Sequence, residues 1–261
     1  MAGGIRERVS VWVSLVLAAV DDFSGRPAER SLLHVWMEGA PEPSAKEGGY
    51  YVFTNIHTSC ARIHLEGPVF QKKEIVLDEK QLAQYEGTVM KVRLLPNRSY
   101  PVPRGTTCVQ GYAPAHATVM AFDMTMENPL RLLYAYEAGS GEISIYHPED
   151  MDLEGRVFCI QDKPEKKREL LRILSQSEAE KSRYRLAAPL SGSYKKIGTV
   201  LFPVLEAKAD KTGEFYMPAS GIRGEKAVFA FWLEGEEERR IEAELISGRH
   251  NSVDIRKRAG K

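Results

Sequence analysis

The chain is poor in cysteine, balanced in charge and without an apolar run long enough to cross a membrane as a helix. Its three cysteines, Cys60, Cys108 and Cys159, form no CxxC pair, which argues against a disulfide framework and a structural zinc site. Each lies in an apolar, strand-like segment, so we expect all three to be small buried hydrophobes. The 36 basic and 36 acidic residues cancel, whereas a nucleic-acid-binding protein usually has a basic excess. The longest apolar run, residues 9–20, falls short of the about 20 residues that a spanning helix needs.

The sequence motifs that commonly carry catalysis are also missing. The chain has no GxxxxGK[ST] loop for phosphates and no GxSxG turn for a nucleophilic serine. Its six histidines form no HxH, HExxH or HxxxH pattern of the kind that places two ligands on one metal ion. Two carboxylates brought together from distant positions would leave no such signature. We therefore expect a protein that is not an enzyme and that has no catalytic, metal or cofactor site.

The apolar run at residues 9–20 has two interpretations, a secretory leader or the first strand of a folded domain. Arg6 and Arg8 precede the run, as they would in a leader. However, Asp21 and Asp22 follow at once, without a clear cleavage site. The apolar residues also alternate, which is typical of a strand with one buried face. We favour the strand on the alternation of Val9, Val11, Val13, Leu15 and Leu17.

Five further apolar segments follow before residue 98, and turn residues separate them. These segments are residues 31–39, 50–56, 59–67, 71–78 and 88–97. Six short strands at such spacing are typical of an antiparallel sandwich. We therefore predict a first domain over residues 8–98.

Two motifs in this region resemble those of the carboxypeptidase regulatory-like, transthyretin-like β-sandwich domains. The first has the form D-x-x-[ST]-G-x-P in the family and corresponds here to Asp22, Ser24, Gly25 and Pro27, with one residue fewer between the aspartate and the serine. The second is matched by Gly49, Tyr51, Phe53 and Ile56, with Phe70 as the later aromatic residue. The sequence departs from the family at residues 57–59, where HTS replaces a common Pro-Gly pair. The resemblance covers residues 8–98 and implies a sandwich with a non-catalytic role as scaffold, spacer or binding module, without active-site residues.

The rest of the chain is also mostly β in its pattern, with one exception. We predict a β-rich middle domain over residues 99–162 and a helix plus a C-terminal β-domain over 163–261, or a single domain that contains both. Residues 164–181 favour an amphipathic helix. Pro164 suits the first turn of this helix, and its apolar stripe would contain Leu170, Leu171 and Leu174. The predicted fold class is thus mostly β, with a transthyretin-like sandwich followed by one or two further β-rich domains.

Aromatic residues are the remaining indication of function. Because neighbouring side chains on a strand point to opposite faces, one of two adjacent aromatic residues should face outward. An outward aromatic side chain serves as a protein contact or a sugar-stacking platform, unless another part of the chain covers it. The interaction candidates are Tyr50, Tyr51, Phe229, Phe231 and Trp232.

These observations together predict a non-catalytic structural protein that acts through protein partners or self-assembly. A phage-tail-like or contractile injection particle, or a surface assembly, is the setting we favour. A carbohydrate-binding or adhesion module and an accessory chain of an enzyme are the alternatives. Nucleic-acid binding and membrane insertion are not expected. We expect synthesis in the cytoplasm followed by assembly into a particle, or secretion if residues 1–20 are a leader.

Overall fold

The computed structural model describes residues 12–149, 151–165, 167–177, 179–236 and 239–256, and these residues are mostly β. This confirms the fold class predicted from the sequence. The chain divides into two compact units. The first contains the described residues up to Asp21 and Arg26–Leu94. The second contains Asp22–Gly25 and the described residues from Leu95 onward.

The first unit is a sandwich of two sheets. Its strands are β1 (Val13–Asp21), β2 (His34–Met37), β3 (Ser44–Lys46), β4 (Tyr50–Thr54), β5 (Cys60–Glu66), β6 (Lys73–Asp78) and β7 (Val89–Leu94). The single α-helix among the described residues, α1 (Glu79–Ala83), follows β6, and 3-10 turns occupy Arg30–Leu32 and Glu47–Gly49. One sheet has the order β3-β4-β1-β7 and the other β2-β5-β6. Every pairing in these sheets is antiparallel except that of β1 with β7, which is parallel.

Alternation of apolar residues produces the core of this sandwich. Leu15, Leu17 and Phe53 point inward from one sheet, and Ile63 and Leu65 point inward from the other. The predicted strand is therefore confirmed from residue 13 onward, while Val9 and Val11 lie outside the described residues.

The segment DDFSGRP turns the chain after β1, as the sequence predicts. Gly25 has a positive φ of 69°, which glycine adopts without steric cost. The backbone N–H of Asp21 donates to the carbonyl oxygen of Arg26 at 2.9 Å. Val20 and Pro27 then form an isolated bridge. The turn thus returns the chain directly against the strand that it ends.

The second unit is built around a long sheet that partly closes on itself. Its strands are β8 (Thr107–Tyr112), β9 (Thr118–Asp123), β10 (Leu130–Leu132), β11 (Glu142–Tyr146), β12 (Val157–Asp162), β13 (Lys167–Gln176), β14 (Arg183–Leu186), β15 (Thr199–Lys208), β16 (Glu214–Ala219), β17 (Lys226–Leu233), β18 (Ile241–Ile246) and β19 (His250–Asp254). Nine of them form one sheet in the order β10-β11-β14-β13-β12-β15-β9-β17-β18. Because β10 also pairs with β15, the first six strands of this order close into an antiparallel barrel. A separate sheet has the order β16-β8-β19.

Buried side chains of the long sheet lie in separate clusters on its two faces. Phe158, Ile160 and Leu201 lie in a cluster that also contains the inward residues of β10, β11, β13 and β14 and therefore fills the barrel. Phe229 lies in a second cluster, together with residues of β8, β16 and β19. Cys159 lies in a third cluster, on the face of β12 opposite to that of Phe158. The middle strands of the long sheet therefore have buried side chains on both faces.

The predicted helix at residues 164–181 is wrong, because Lys167–Gln176 in the middle of this range form the strand β13. Leu171 and Ile173 are buried in the barrel, whereas Arg172 between them is only half-buried. β13 pairs with β12 along one edge and with β14 along the other. These pairings between strands outweigh the helix propensity of a segment rich in Leu, Glu, Lys and Arg. The boundary predicted between residues 162 and 163 falls in the turn that joins β12 to β13.

Two of the three cysteines are buried. Cys108 and Cys159 are buried free thiols, and burial raises the pKa of the Cys159 thiol. Cys60 is exposed, because it lies at an outward position at the start of β5. The expectation that all three are buried is therefore wrong for Cys60.

This difference in exposure predicts a simple labelling result. Under native conditions a maleimide reagent should modify one thiol per chain, at Cys60, and should modify all three only after denaturation. Intact-mass measurement over time would give the count, and peptide mapping would locate the label. Native labelling of Cys108 or Cys159 at the rate of Cys60 would contradict the burial of these side chains.

Candidate functional site

The adjacent tyrosines at the start of β4 point to opposite sides of their sheet. Tyr51 is 4% exposed, and its hydroxyl donates to the carbonyl oxygen of Leu33 at 3.5 Å. Burial raises the pKa of Tyr51, while the charge of Arg30 acts in the opposite direction. Tyr50 is 41% exposed on the outer face. Alternation along the strand therefore makes Tyr50 a surface residue, as the sequence predicts for one member of the pair.

The aromatic run on β17 is buried on both faces of its sheet. Phe229 and Phe231 lie in the core that the long sheet shares with β16-β8-β19. Trp232 lies in the core on the other face and contacts the ring of Phe122 edge-on, with 5.8 Å between ring centroids. The guanidinium carbon of Arg240 lies 4.7 Å from the centroid of Trp232. The expectation of an outward aromatic residue is therefore wrong for this run, and the alternative that the chain covers these residues holds.

Around Tyr50, the outer face of the four-stranded sheet is apolar. Val16 on β1 pairs with Val52 on β4 and with Val89 on β7, so the three valines form a row across the sheet. Val89 is 47% exposed, and Val16 and Val52 are half-buried. Tyr50 lies in the next row, opposite Ala18. We call Val16, Val52, Val89 and Tyr50 the valine face.

Two lysines occupy outward positions on the sheet of the valine face. Lys46 is opposite Tyr50, and Lys91 is opposite Ala18. No carboxylate occupies an outward position on β1, β3, β4 or β7 within the described residues, and Glu47 is exposed directly after β3. This face therefore combines an apolar centre with charges of both signs beside it.

The outer face of the other sheet is different in character. Trp36 on β2 stacks with two imidazole rings, with centroid distances of 4.7 Å to His34 and 4.9 Å to His64. The rings are nearly parallel, with interplanar angles of 26° and 16°. Val76 on β6 is 46% exposed on the same face. Two imidazoles therefore stack on the half-buried indole of Trp36.

Carboxylates surround this aromatic stack. Arg62 lies between Glu38 and Glu74 and forms ion pairs with both, and the Nε2 atom of His64 lies 2.9 Å from Glu38 Oε1. On the same side, the outward positions of β5 and β6 also contain Glu66 and Asp78. We call this surface, with Trp36 and Val76 at its centre, the acidic face.

The second unit contains a cavity of about 220 Å³ on one side of the long sheet. Its lining is largely apolar and includes Met120, Val157 and Leu170. Arg172 is its one basic lining residue, and its Nη2 donates to Glu206 Oε1 at 2.8 Å. An ion pair thus already occupies this guanidinium, and two carboxylates, Glu169 and Glu234, also line the cavity.

Two further findings concern the described part of the chain as a whole. No group of three or more His, Cys, Asp or Glu residues in it is arranged to hold a metal ion. None of its helices has the length and apolar character needed to cross a membrane.

Sequence reasoning identified Tyr50 but missed the residues around it. Val16 and Val52 belong to strands that are apolar on both faces, so alternation did not mark them as outward. Val89 belongs to β7, where apolar and basic residues alternate, and its outward parity could have been read from the sequence. Trp36 and His64 belong to strands with clear alternation, so the sequence alone could have predicted that both side chains point outward. Only the register of β2 against β5 shows that the two rings stack.

No protein-family model and no curated protein sequence matches this chain. The relation to transthyretin-like domains therefore stays a prediction from the two motifs. The features that bear on function are the two faces of the first unit and the cavity of the second.

Proposed function

We propose that this chain is a non-catalytic structural protein that acts through protein contacts made by its first unit. The observation that carries the proposal is the valine face, an exposed apolar surface on a well-packed sandwich. Leaving apolar area in water costs roughly 25 cal/mol per Å². A partner that covers the valine face removes this cost, and a partly exposed tyrosine such as Tyr50 is a favoured anchor in such contacts.

The setting we propose is a multi-subunit assembly, such as a phage-tail-like or contractile injection particle or a surface structure. The support is the sequence resemblance to transthyretin-like domains, which implies a scaffold, spacer or binding module. The proposal of an assembly thus rests on the roles that this type of domain has in other proteins. The contacts of the valine face do not depend on which assembly it is.

The carbohydrate-binding alternative is less well supported by the exposed aromatic residues of the first unit. A sugar ring stacks on the open face of an aromatic side chain. Trp36 is half-buried, and the rings of His34 and His64 already stack on its indole. Tyr50 is bordered by valines and lysine rather than by the amide and carboxylate groups that hydrogen-bond to sugar hydroxyls. We therefore favour a protein partner.

The proposal predicts that the chain sediments as part of a larger assembly in extracts of the cells that produce it. Wild-type protein should sediment in a high-mass fraction, and Val89→Asp should move it to the fraction of the free chain, because a buried carboxylate at the contact is costly. Ile197→Asp is the matched control, since Ile197 is 86% exposed and belongs to the second unit. A wild-type chain that sediments alone, or a Val89→Asp chain that stays in the high-mass fraction, would contradict the proposal.

A further inference from the structure

We propose that the second unit binds one monovalent metal ion inside the end of its barrel, with oxygen atoms of Asp162, Glu169, Thr199 and Tyr194 as ligands. We call these four residues the oxygen cluster. The site belongs to the second unit and goes beyond the proposed function, which concerns contacts of the first unit.

Strand pairing brings three residues of the oxygen cluster to one end of the barrel interior. Along β12 the inward side chains are Phe158, Ile160 and then Asp162, which is 1% exposed. Thr199 on β15 is the direct cross-strand neighbour of Asp162 and is 2% exposed. Glu169 on β13 is opposite Ile160, so it lies one row further into the barrel. The apolar filling of the barrel thus gives way to polar side chains at this end.

Tyr194 reaches the same end of the barrel from the segment that follows β14. It is 1% exposed and belongs to the cluster of side chains that fills the barrel. Burial raises the pKa of the Tyr194 hydroxyl, and the charges of Glu169 and Asp162 act in the same direction. The hydroxyl therefore lies near both carboxylates.

Three oxygen atoms of the oxygen cluster have no hydrogen bond of ordinary distance and angle in the described structure. They are Glu169 Oε1, Thr199 Oγ1 and Tyr194 OH, and all three are shielded from solvent. The other oxygen of the same carboxylate is in use, since Glu169 Oε2 accepts from the backbone N–H of Ser191 at 2.8 Å. Buried polar atoms are nearly always paired, so three such oxygens at one end of a barrel indicate a bound ion or water molecule.

The buried and half-buried charges at this end of the barrel favour an ion over water. Asp162 and Glu169 contribute two negative charges, and Lys167, opposite Asp162 on β13, contributes one positive charge. The other described charged side chains in the adjoining turns are exposed, and water and salt screen them: Glu137, Lys163, Glu165, Lys195 and Lys196. One negative charge is therefore in excess, and a buried charge without a counterion is costly.

The ammonium group of Lys167 is held away from the two carboxylates. Its Nζ atom donates to the carbonyl oxygen of Ser193 at 3.2 Å and lies 4.9 Å from the ring centroid of Tyr194. Among the described residues it forms no ion pair with Asp162 or Glu169. The lysine therefore does not act as the cation of the oxygen cluster.

A monovalent ion matches the oxygen cluster better than a divalent one. Carboxylate and hydroxyl oxygens are ligands for hard metal ions. One positive charge cancels the excess negative charge, whereas Ca²⁺ or Mg²⁺ would leave an uncompensated positive charge inside the barrel. The cluster has only two carboxylates, so it differs from a site of three or more His, Cys, Asp or Glu residues, which the described part of the chain lacks.

The test is thermal unfolding of the purified full-length chain in sodium, potassium or tetramethylammonium chloride at the same ionic strength. The melting temperature should be at least about 4 °C higher in the sodium or the potassium salt, because an ion that binds only the folded state stabilises it. Tetramethylammonium is too large for a site between packed side chains and reproduces the general effect of salt. Equal melting temperatures in the three salts would overturn the proposal.

Two substitutions connect the salt effect to the oxygen cluster. Glu169→Gln removes the excess charge and Thr199→Val removes a neutral ligand with little change of shape, so each should abolish the difference between the salts. Glu165→Gln is the matched control, because Glu165 is an exposed carboxylate at the same end of the barrel and should keep the difference. Having two variants keeps the test valid if one of them does not fold. A difference of wild-type size in a folded Glu169→Gln or Thr199→Val chain would mean that the ion binds elsewhere.

X-ray diffraction gives a second readout that does not depend on stability. In crystals of the full-length chain grown in rubidium chloride, rubidium should give an anomalous difference peak among the four side chains of the oxygen cluster. Ordinary density at this position without an anomalous peak would identify a water molecule and would refute the ion.

Discussion

Replacing Ile173 with aspartate is expected to prevent the barrel of the second unit from folding. Ile173 is fully buried in the barrel interior among apolar side chains of five other strands. A carboxylate there has no partner and must be neutralised or exposed by local unfolding. The expected loss is about 4 kcal/mol or more, which is a large part of the stability of an ordinary domain.

Hydrogen exchange measured by mass spectrometry would locate this effect. Peptides from β12, β13 and β15 should lose protection in Ile173→Asp, whereas peptides from β1 and β5 in the other unit should keep it. Leu174→Asp is the matched control, because Leu174 is only half-buried and should cost about 1 kcal/mol. In the helix that the sequence predicts, Leu174 belongs to the apolar stripe and Ile173 does not. A larger effect at Leu174 than at Ile173 would therefore contradict the strand.

Adding a single methyl group at Gly111 is expected to detach β19 from the sheet of the second unit. Gly111 lies on β8 between β16 and β19. A Cβ atom there would lie 1.8 Å from the carbonyl oxygen of Val253 and 2.9 Å from the ring of Phe215. Neither neighbour has room to move, since one is backbone in a paired strand and the other is a core side chain. We expect Gly111→Ala to lower the free energy of unfolding by about 3 kcal/mol.

Gly141→Ala is the control for this substitution. Gly141 immediately precedes β11 and has open space where a Cβ would lie, so the same change should leave stability within about 0.5 kcal/mol. Denaturant titration followed by circular dichroism would compare the two variants. Exchange at residues 250–254 would report on β19 itself. Equal stabilities for the two variants would show that β8 and β19 are not as close as the structure has them.

The alternation of apolar residues was enough to predict most strands of the first unit and the direction of individual side chains. Leu15 and Leu17 point inward, and Tyr51 points inward while Tyr50 points outward. The reason is that successive side chains on a strand point to opposite faces. The turn at DDFSGRP was readable for an equally local reason, since glycine there adopts a positive φ. Properties of this kind depend on neighbours within a few residues.

Tertiary structure decided the features that depend on distant residues. The segment that contains Leu171 and Ile173 has the composition of a helix, and it becomes a strand because β12 and β14 provide hydrogen-bonding partners on both edges. Phe231 is buried against the sheet β16-β8-β19, and Trp232 is buried on the other face among side chains of β9, β12 and β15. The valine face exists because β1 brings together β4 and β7, which are far apart in sequence. A local pattern determines which side of a strand a residue occupies, and only the assembled sheets determine whether that side is covered.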